Sequence, residues 1–329
     1  MFGDGDTWAI VLAGGEGTRL ASLTRALHGE PTPKQFARIR CDGDSLLEAT
    51  LRRLATLVPA RRTVVVIGPA HVRWAREQLR GRRAIHLLVQ PQSIGTTAAI
   101  LFALAWIRAH ARQPLVLVMP SDHHVRRLAP FRVAIRAAAR TSRATGRLTL
   151  LGVVPDSADS EYGWIVPGAA IDDLPAQLVA AFVEKPAVAH AAELRRQGAL
   201  WSSFIFAAPA HELRDLARRW APDCARAFDR LDVFSFAVGN SELADTFARL
   251  ADCDFSRTVL QQASSCAVVR LAGAGWSDWG TPERVRAGWH ETARARSSPS
   301  LAPATAHLFA PDLRPRGCPH HVRVTRVER

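Results

Sequence analysis

The only two lysines of this chain sit in short segments whose chemistry suits the handling of phosphate. Its 329 residues hold 43 Lys and Arg together, so arginine carries nearly all of the basic charge. Lys34 lies in Pro33-Lys34-Gln35-Phe36, downstream of a glycine loop, Ala13-Gly14-Gly15-Glu16-Gly17-Thr18-Arg19-Leu20, and Lys185 lies in Val183-Glu184-Lys185-Pro186. An ammonium is a compact point charge and a guanidinium a broad planar fork, so a site fitted around one phosphoryl oxygen can require lysine. Gly14, Gly15 and Gly17 carry no Cβ, which lets backbone N–H groups approach a polyphosphate closely. The loop matches neither G-x-x-x-x-G-K-[ST] nor G-x-G-x-x-G; taken alone it also fits a tight turn with a solvated arginine. Arg19 at its end and Lys34 beyond it supply cations on either side of a phosphate chain.

Two carboxylates stand out in apolar settings. Asp122 ends the run Leu115-Val116-Leu117-Val118-Met119-Pro120-Ser121, and Asp278 lies between Trp276 and Trp279. A buried carboxylate is costly unless it is paired or binds a cation. Magnesium is commonly held by one or two carboxylates plus substrate phosphates, so the pair suits a metal site if the fold brings them together; separately, each also suits a helix cap or turn. His123 and His124 read as hydrogen-bonding residues.

The elements that must position these groups alternate. Trp8 to Ala13, Thr63 to Ile67, His86 to Val89, Leu115 to Met119 and Leu148 to Val153 read as buried strands. Helices fall between them, one capped by Asp44 or Ser45, one from Gly95 to Ala109 and one near Phe131 to Thr141. Such a series predicts an α/β fold with a mostly parallel, doubly wound sheet. Ligands of such sheets bind beyond the carboxyl ends of the strands, where the glycine loop, Gln90-Pro91 and Ser121-Asp122 all fall. The second half departs from strict alternation, with strands at Tyr162 to Val166, Leu178 to Val183, Trp201 to Ala207 and Ser265 to Leu271. Its helices are expected near Ala189 to Gln197, Ala210 to Trp220 and Glu242 to Leu250. It reads as a substrate-binding insertion on one extended sheet. Residues 1–292 form one domain in this reading, and 293–329, rich in Pro, Arg and Ser, a tail that is flexible or packed on a partner.

Composition narrows the function classes. The net charge of +13 is spread along the chain without interleaved aromatics, which disfavours specific nucleic-acid binding and suits small polyanionic substrates. Pairs such as Arg52-Arg53 read as solvated helix ends. No stretch is apolar enough for a membrane-spanning helix, the start is acidic rather than basic, and a cytoplasmic protein is expected. Five scattered cysteines suggest reduced thiols rather than disulfides or zinc.

Taken in order, the segments Leu12 to Leu20, Pro33-Lys34-Gln35-Phe36, Pro120-Ser121-Asp122-His123, Tyr162-Gly163-Trp164-Ile165, Phe182-Val183-Glu184-Lys185-Pro186 and Trp276-Ser277-Asp278-Trp279-Gly280 resemble the sugar-1-phosphate nucleotidyltransferases. Within them the chain is most similar to the mannose-1-phosphate guanylyltransferases. The resemblance implies a GT-A-like, Rossmann-like fold and Mg²⁺-dependent exchange of a nucleoside triphosphate and a sugar 1-phosphate for a nucleotide sugar and pyrophosphate. It implies that Gly14, Gly15, Gly17 and Arg19 hold the triphosphate and that Lys34 neutralises charge as pyrophosphate leaves. Asp122 and Asp278 would hold Mg²⁺, while Gln90, Gly95 and Thr96 would lie near base and ribose. Lys185 would fix the attacking sugar phosphate, with Glu184, the Gly163 backbone, Ser202 and Ser203 beside the sugar.

Two segments depart from the family pattern. Trp201-Ser202-Ser203 replaces a W-N-S segment, and Gln92-Ser93-Ile94-Gly95 replaces a segment with an R-N or R-G pair. The leading expectation is GTP with mannose 1-phosphate. Another nucleotide with a modified sugar or cyclitol phosphate, or a non-catalytic nucleotide-sugar-binding regulatory protein, are the alternatives. The residues after Val285 are too few for the isomerase domain of the long family members, so isomerase activity is not expected. Oligomeric state is left open.

Overall fold

The structure, a computed structural model, describes residues 6–40, 42–231, 236 and 241–296. Four apolar runs form the strands β1 (Thr7–Leu12), β2 (Thr63–Ile67), β3 (His86–Val89) and β4 (Leu115–Pro120). They pair in parallel in the order β3-β2-β1-β4. Seven more strands follow: β5 (His124–Val125), β6 (Thr149–Val153), β7 (Gly163–Ala170), β8 (Gln177–Glu184), β9 (Leu200–Pro209), β10 (Ala267–Leu271) and β11 (Trp276–Ser277). One nine-stranded sheet runs β3-β2-β1-β4-β9-β6-β10-β8-β7, and β5 and β11 pair as a separate antiparallel ribbon. The parallel pairings lie in the first half and between β6 and β10; β7, β8 and β9 add the antiparallel ones.

The helices are α1 (Ala21–His28), α2 (Leu46–Leu54), α3 (Val72–Gln78), α4 (Gly95–Arg108), α5 (Leu128–Thr145), α6 (Val188–Arg196), α7 (Ala210–Trp220), α8 (Pro222–Asp229), α9 (Ser241–Ala248) and α10 (Pro282–Arg296). Successive strand residues face opposite sides. Trp8 and Ile10 of β1 therefore enter a core with α4, α7 and α8, while Ala9 and Val11 enter one with α2 and α5. Helix α4 is apolar on nearly every face because it is buried on both sides. A third small cluster, Leu20, Ile39, Leu46, Trp279 and Val285, ties the start of α10 to the chain that follows the glycine loop. Among the described residues no helix is long and apolar enough to cross a membrane.

Ser45 caps α2 in a capping box: its Oγ accepts from Glu48 N (3.1 Å), and Glu48 Oε2 accepts from Ser45 N (2.9 Å). The same hydroxyl donates to Gln78 Oε1 (2.6 Å), joining α2 to α3. Ser45→Ala is expected to cost about 1–2 kcal/mol in denaturant unfolding. The last helix continues through residues 293–296, where the sequence suggests the start of a tail. Positions 297–329, Cys41 and Cys318 lie outside the described residues; Cys224, Cys253 and Cys266 are free thiols.

Candidate active site

The parallel strands end at one level. Ala13 N donates to Val66 O (2.8 Å), Gln90 N to Ile67 O (2.9 Å) and Ser121 N to Leu12 O (2.9 Å). A cavity of about 490 Å³ opens there, lined by the glycine loop, Gln90, Gly95, Thr96, Ser121 and Asp122. Three motifs that are distant in sequence thus share one crevice. Gln90 is buried, and its Oε1 has no hydrogen-bond partner among the described residues. Gly95 has φ +88°, and a Cβ there would meet Asp252 Oδ1 and the Cys253 carbonyl at 2.4 Å.

The glycine loop is held from below. Gln35 Nε2 donates to Ala13 O (2.8 Å) and Gly15 O (2.7 Å). Gly17 has φ +62°, and a Cβ there would lie 2.8 Å from both Cβ and N of Lys34. Gly17→Ala is expected to cost about 1–3 kcal/mol of stability through backbone strain. By displacing Lys34 it should also lower any turnover about tenfold or more. Unfolding curves and steady-state rates on the same preparation check both numbers.

Lys34 joins the two carboxylate segments. Its ammonium, with a side chain only 7% exposed, donates to Asp122 Oδ2 at 2.8 Å and to the Asp278 carbonyl. The β5–β11 ribbon explains the meeting: Ser277 lies opposite His124, so Asp278 comes beside Asp122 and His123. Burial opposes ionisation of Asp122, but Lys34 outweighs it and holds the carboxyl below its ordinary value. Burial likewise opposes ionisation of Asp278. There the Tyr162 hydroxyl (2.6 Å to Oδ1), Lys34 and Arg284 (3.0 and 3.1 Å to the two oxygens) prevail. Both aspartates are therefore ionised. Burial pushes His123 down to about 4 and His124 down to about 3, so both rings are neutral near pH 7. His123 Nδ1 accepts from Trp276 Nε1 (3.3 Å), and His124 stacks on Trp279 at 4.2 Å.

Other expected site residues lie apart from this crevice. Gly163 of β7 pairs with Glu184 of β8, and Lys185 follows with φ +46°. Burial and then Asp254 raise the Glu184 pKa. Gly163, Glu184, Lys185 and Ser202 do not line the cavity. Ser203 is a correction: it is fully buried, donates to Leu151 O (2.7 Å) and accepts from Ile205 N (3.2 Å), so its hydroxyl is spent on the strands. Arg19 is half-exposed and paired with Glu161 at 3.2 Å rather than turned to the cavity. A second cavity, of about 360 Å³, is lined by Tyr162, Arg284, Asp159 and Trp276, beside the partners of Asp278.

Several supporting residues escape sequence reasoning. Arg53, read as a solvated helix end, is 3% exposed and donates to His123 O (2.9 Å) and Thr50 Oγ1 (2.6 Å). Thr50 in turn donates to Ser121 O (3.0 Å), so α2 clamps the segment that carries Asp122. Arg284 also pairs with Asp159 and lies over the Tyr162 ring. For Arg284 the available signal was nearness to Asp278; Thr50 and Arg53 lie in none of the motif segments.

Comparison with known proteins covers the span that holds these residues. The nucleotidyl transferase family pattern matches residues 8–293. The chain is 34% identical over 292 residues to xanthan biosynthesis protein XanB of Xanthomonas campestris pv. campestris (strain B100), covering 84% of this chain and 58% of that protein. It is 30% identical over 282 residues to a mannose-1-phosphate guanylyltransferase of Escherichia coli, covering 83% of this chain and 58% of the relative. It therefore spans less than two thirds of the length of these relatives. A crystal structure described as a mannose-1-phosphate geranyltransferase of Thermus thermophilus superposes with a TM-score of 0.72 at 31% identity, over 89% of this chain and 79% of that one. With the glycine loop, Lys34 and Asp122 meeting beyond the carboxyl ends of the parallel strands inside the matched span, the chain belongs to the nucleotidyl transferase family.

Proposed function

We propose that this chain transfers a nucleoside monophosphate from a nucleoside triphosphate to a sugar 1-phosphate, with GTP and mannose 1-phosphate as the pair. The observation that carries the reading is the buried Lys34 ammonium, bonded to the ionised Asp122 on the wall of a cavity sized for a nucleotide. The name of the E. coli relative supports the choice of base and sugar.

In this reading the loop Gly14-Gly15-Glu16-Gly17 offers its backbone N–H groups to the triphosphate, and Arg19 leaves Glu161 to reach it. Gln90, Gly95 and Thr96 face base and ribose; the unpartnered Gln90 Oε1 suits an N–H or O–H donor of the nucleotide. Lys185 holds the acceptor phosphate, and Glu184, the Gly163 backbone and Ser202 hold hydroxyls. An anionic oxygen of the acceptor phosphate attacks the α-phosphorus while the bond to the β-phosphate oxygen breaks, releasing pyrophosphate. The attacking oxygen is already ionised at neutral pH, so no general base is needed, and positioning with charge neutralisation carries the rate. Lys34 supplies a fixed positive charge where the leaving group gains negative charge.

Asp122 and Asp278 have the hard, ionised oxygen donors that a magnesium ion takes. A magnesium ion held by two carboxylates is completed by phosphates and water. Such an ion would supply charge neutralisation at the α-phosphate. The test is product analysis by mass spectrometry, with four nucleoside triphosphates crossed against mannose and glucose 1-phosphates and a cyclitol phosphate. GDP-mannose is expected as the dominant product; a different dominant product overturns the assigned pair and moves specificity to Ser202 and the Gln92–Gly95 segment.

A further inference from the structure

Phe204 is one of four non-glycine residues with positive φ among the described residues, at +54°. A bulky side chain is rarely found in that region, and such outliers gather at ligand sites. The strand around it is irregular for an identifiable reason. Leu150 pairs with Phe206 and Gly152 with Ser202, so between these pairs β9 advances further than β6 and bulges at Ser203, Phe204 and Ile205. Bulges re-aim side chains and recur next to active sites. Both serines pin this one. Ser202 Oγ accepts from Phe204 N at 3.3 Å, and Ser203 Oγ bridges Leu151 O and Ile205 N. The Phe204 ring is backed edge-on by Phe206 (5.9 Å) and Phe255 (6.2 Å) and lines the cavity.

Its position along the sheet says which part of a substrate it meets. In the order β3-β2-β1-β4-β9, Gln90 follows β3, the glycine loop follows β1, Asp122 follows β4, and Phe204 lies in β9. Along the sheet Phe204 thus lies beyond Asp122 from Gln90, while Phe255 behind its ring donates its N–H to Thr96 Oγ1 (2.8 Å). Strand β9 also pairs with β7 at Trp201 and Trp164, next to the Gly163–Glu184 pair. Asp254, whose charge reaches Glu184, lines the same cavity. An aromatic face beside carboxylates suits a ring with one apolar C–H face and hydroxyls at its edge.

We propose that Phe204 is the acceptor-selecting residue of the site. The ring, aimed by the serine-pinned bulge, is the wall against which the apolar face of a hexose or cyclitol phosphate packs, and it excludes acceptors with a bulky substituent on that face. This rests on the nucleotidyltransferase reading above. It gives Ser203 the task of shaping the wall, while the Ser202 hydroxyl, which accepts from Phe204 N, can also donate to a sugar hydroxyl.

The test compares wild type with Phe204→Gly and Phe204→Ala by pyrophosphate release, using mannose, glucose and N-acetylglucosamine 1-phosphates, with Tm measured alongside. Both variants lose the packing of the ring on Phe206 and Phe255, but Phe204→Gly should lower Tm less than Phe204→Ala, because glycine accepts φ near +54° without strain. KM for the preferred acceptor should rise about tenfold or more, and the relative rate with the N-acetylated acceptor should rise by a similar factor, while KM for the triphosphate stays within about twofold. Phe204→Ala removes the ring without relieving the backbone and should change selectivity in the same direction, which keeps the test open if the glycine variant folds poorly. An active wild type whose acceptor preference survives both substitutions overturns the role of Phe204 alone. A rise in triphosphate KM with acceptor KM unchanged also overturns it, by assigning the wall to the nucleotide. A wild type inactive with every pair overturns the reading on which it rests.

Discussion

Lys34→Met should lower turnover on the order of 10² or more, the loss expected when a preorganised charge stabiliser is removed from a water-poor site. The substitution keeps the length and apolar stem of the side chain, so Tm should change less than activity. Lys34→Arg should fare little better. The ammonium donates to both Asp122 and the Asp278 carbonyl, a pair of contacts made by a compact charge that a broad planar guanidinium does not reproduce. Steady-state rates with saturating triphosphate distinguish two readings. A nucleotide-sugar-binding protein without chemistry would lose part of its affinity and have no turnover to lose, whereas an enzyme loses kcat with a smaller change in KM.

The second large effect is expected at Asp122. Asp122→Asn keeps the shape of the side chain but removes the negative charge facing Lys34, and turnover should fall on the order of 10². The Mg²⁺ concentration needed for half-maximal rate should rise in parallel, a readout that a purely structural role would not move. Stability should fall as well. Breaking a fully buried pair costs about 3–5 kcal/mol. The Asp122 side chain is 34% exposed, so solvent screens the loss, and about 1–2 kcal/mol in denaturant unfolding is the expected cost. Unchanged magnesium dependence together with a large stability loss would make Asp122 only the counter-charge of Lys34.

Much of the frame was legible. Strands β2 and β3 and helix α7 fall on the residues expected, because short apolar runs bounded by turn residues, and a strongly amphipathic helix, leave few alternatives. Other helices gave weak signals. Helix α1 starts after Leu20 with no side-chain cap, and α8 begins at Pro222 one residue after α7 has ended, where a proline next to a helix end reads as a turn. Helix α10 lies in an arginine-rich stretch with little apolar periodicity.

The crevice was readable for a different reason: in a parallel sheet the residues after each strand must meet, so the glycine loop, Gln90 and Asp122 converge whatever the packing detail. What closes the site was not readable. Asp278 reaches Asp122 through a two-residue ribbon, far too short to show in a sequence. Arg53 is buried and donates a hydrogen bond to the carbonyl of His123, a tertiary fact hidden behind an Arg-Arg pair. Ser203, by contrast, turns inward in step with the period-two alternation of β9, on the same face as Trp201, Ile205 and Ala207.

Transfer to an acceptor is what separates the proposed nucleotidyltransferase from a binder or a hydrolase. Pyrophosphate release, measured with Mg²⁺ and GTP in the presence and absence of mannose 1-phosphate, decides between them. Release that requires both substrates and falls with Lys34→Met is the expected result. Release that proceeds equally without the acceptor, or none with any of the four triphosphates across the acceptor panel, would refute transfer.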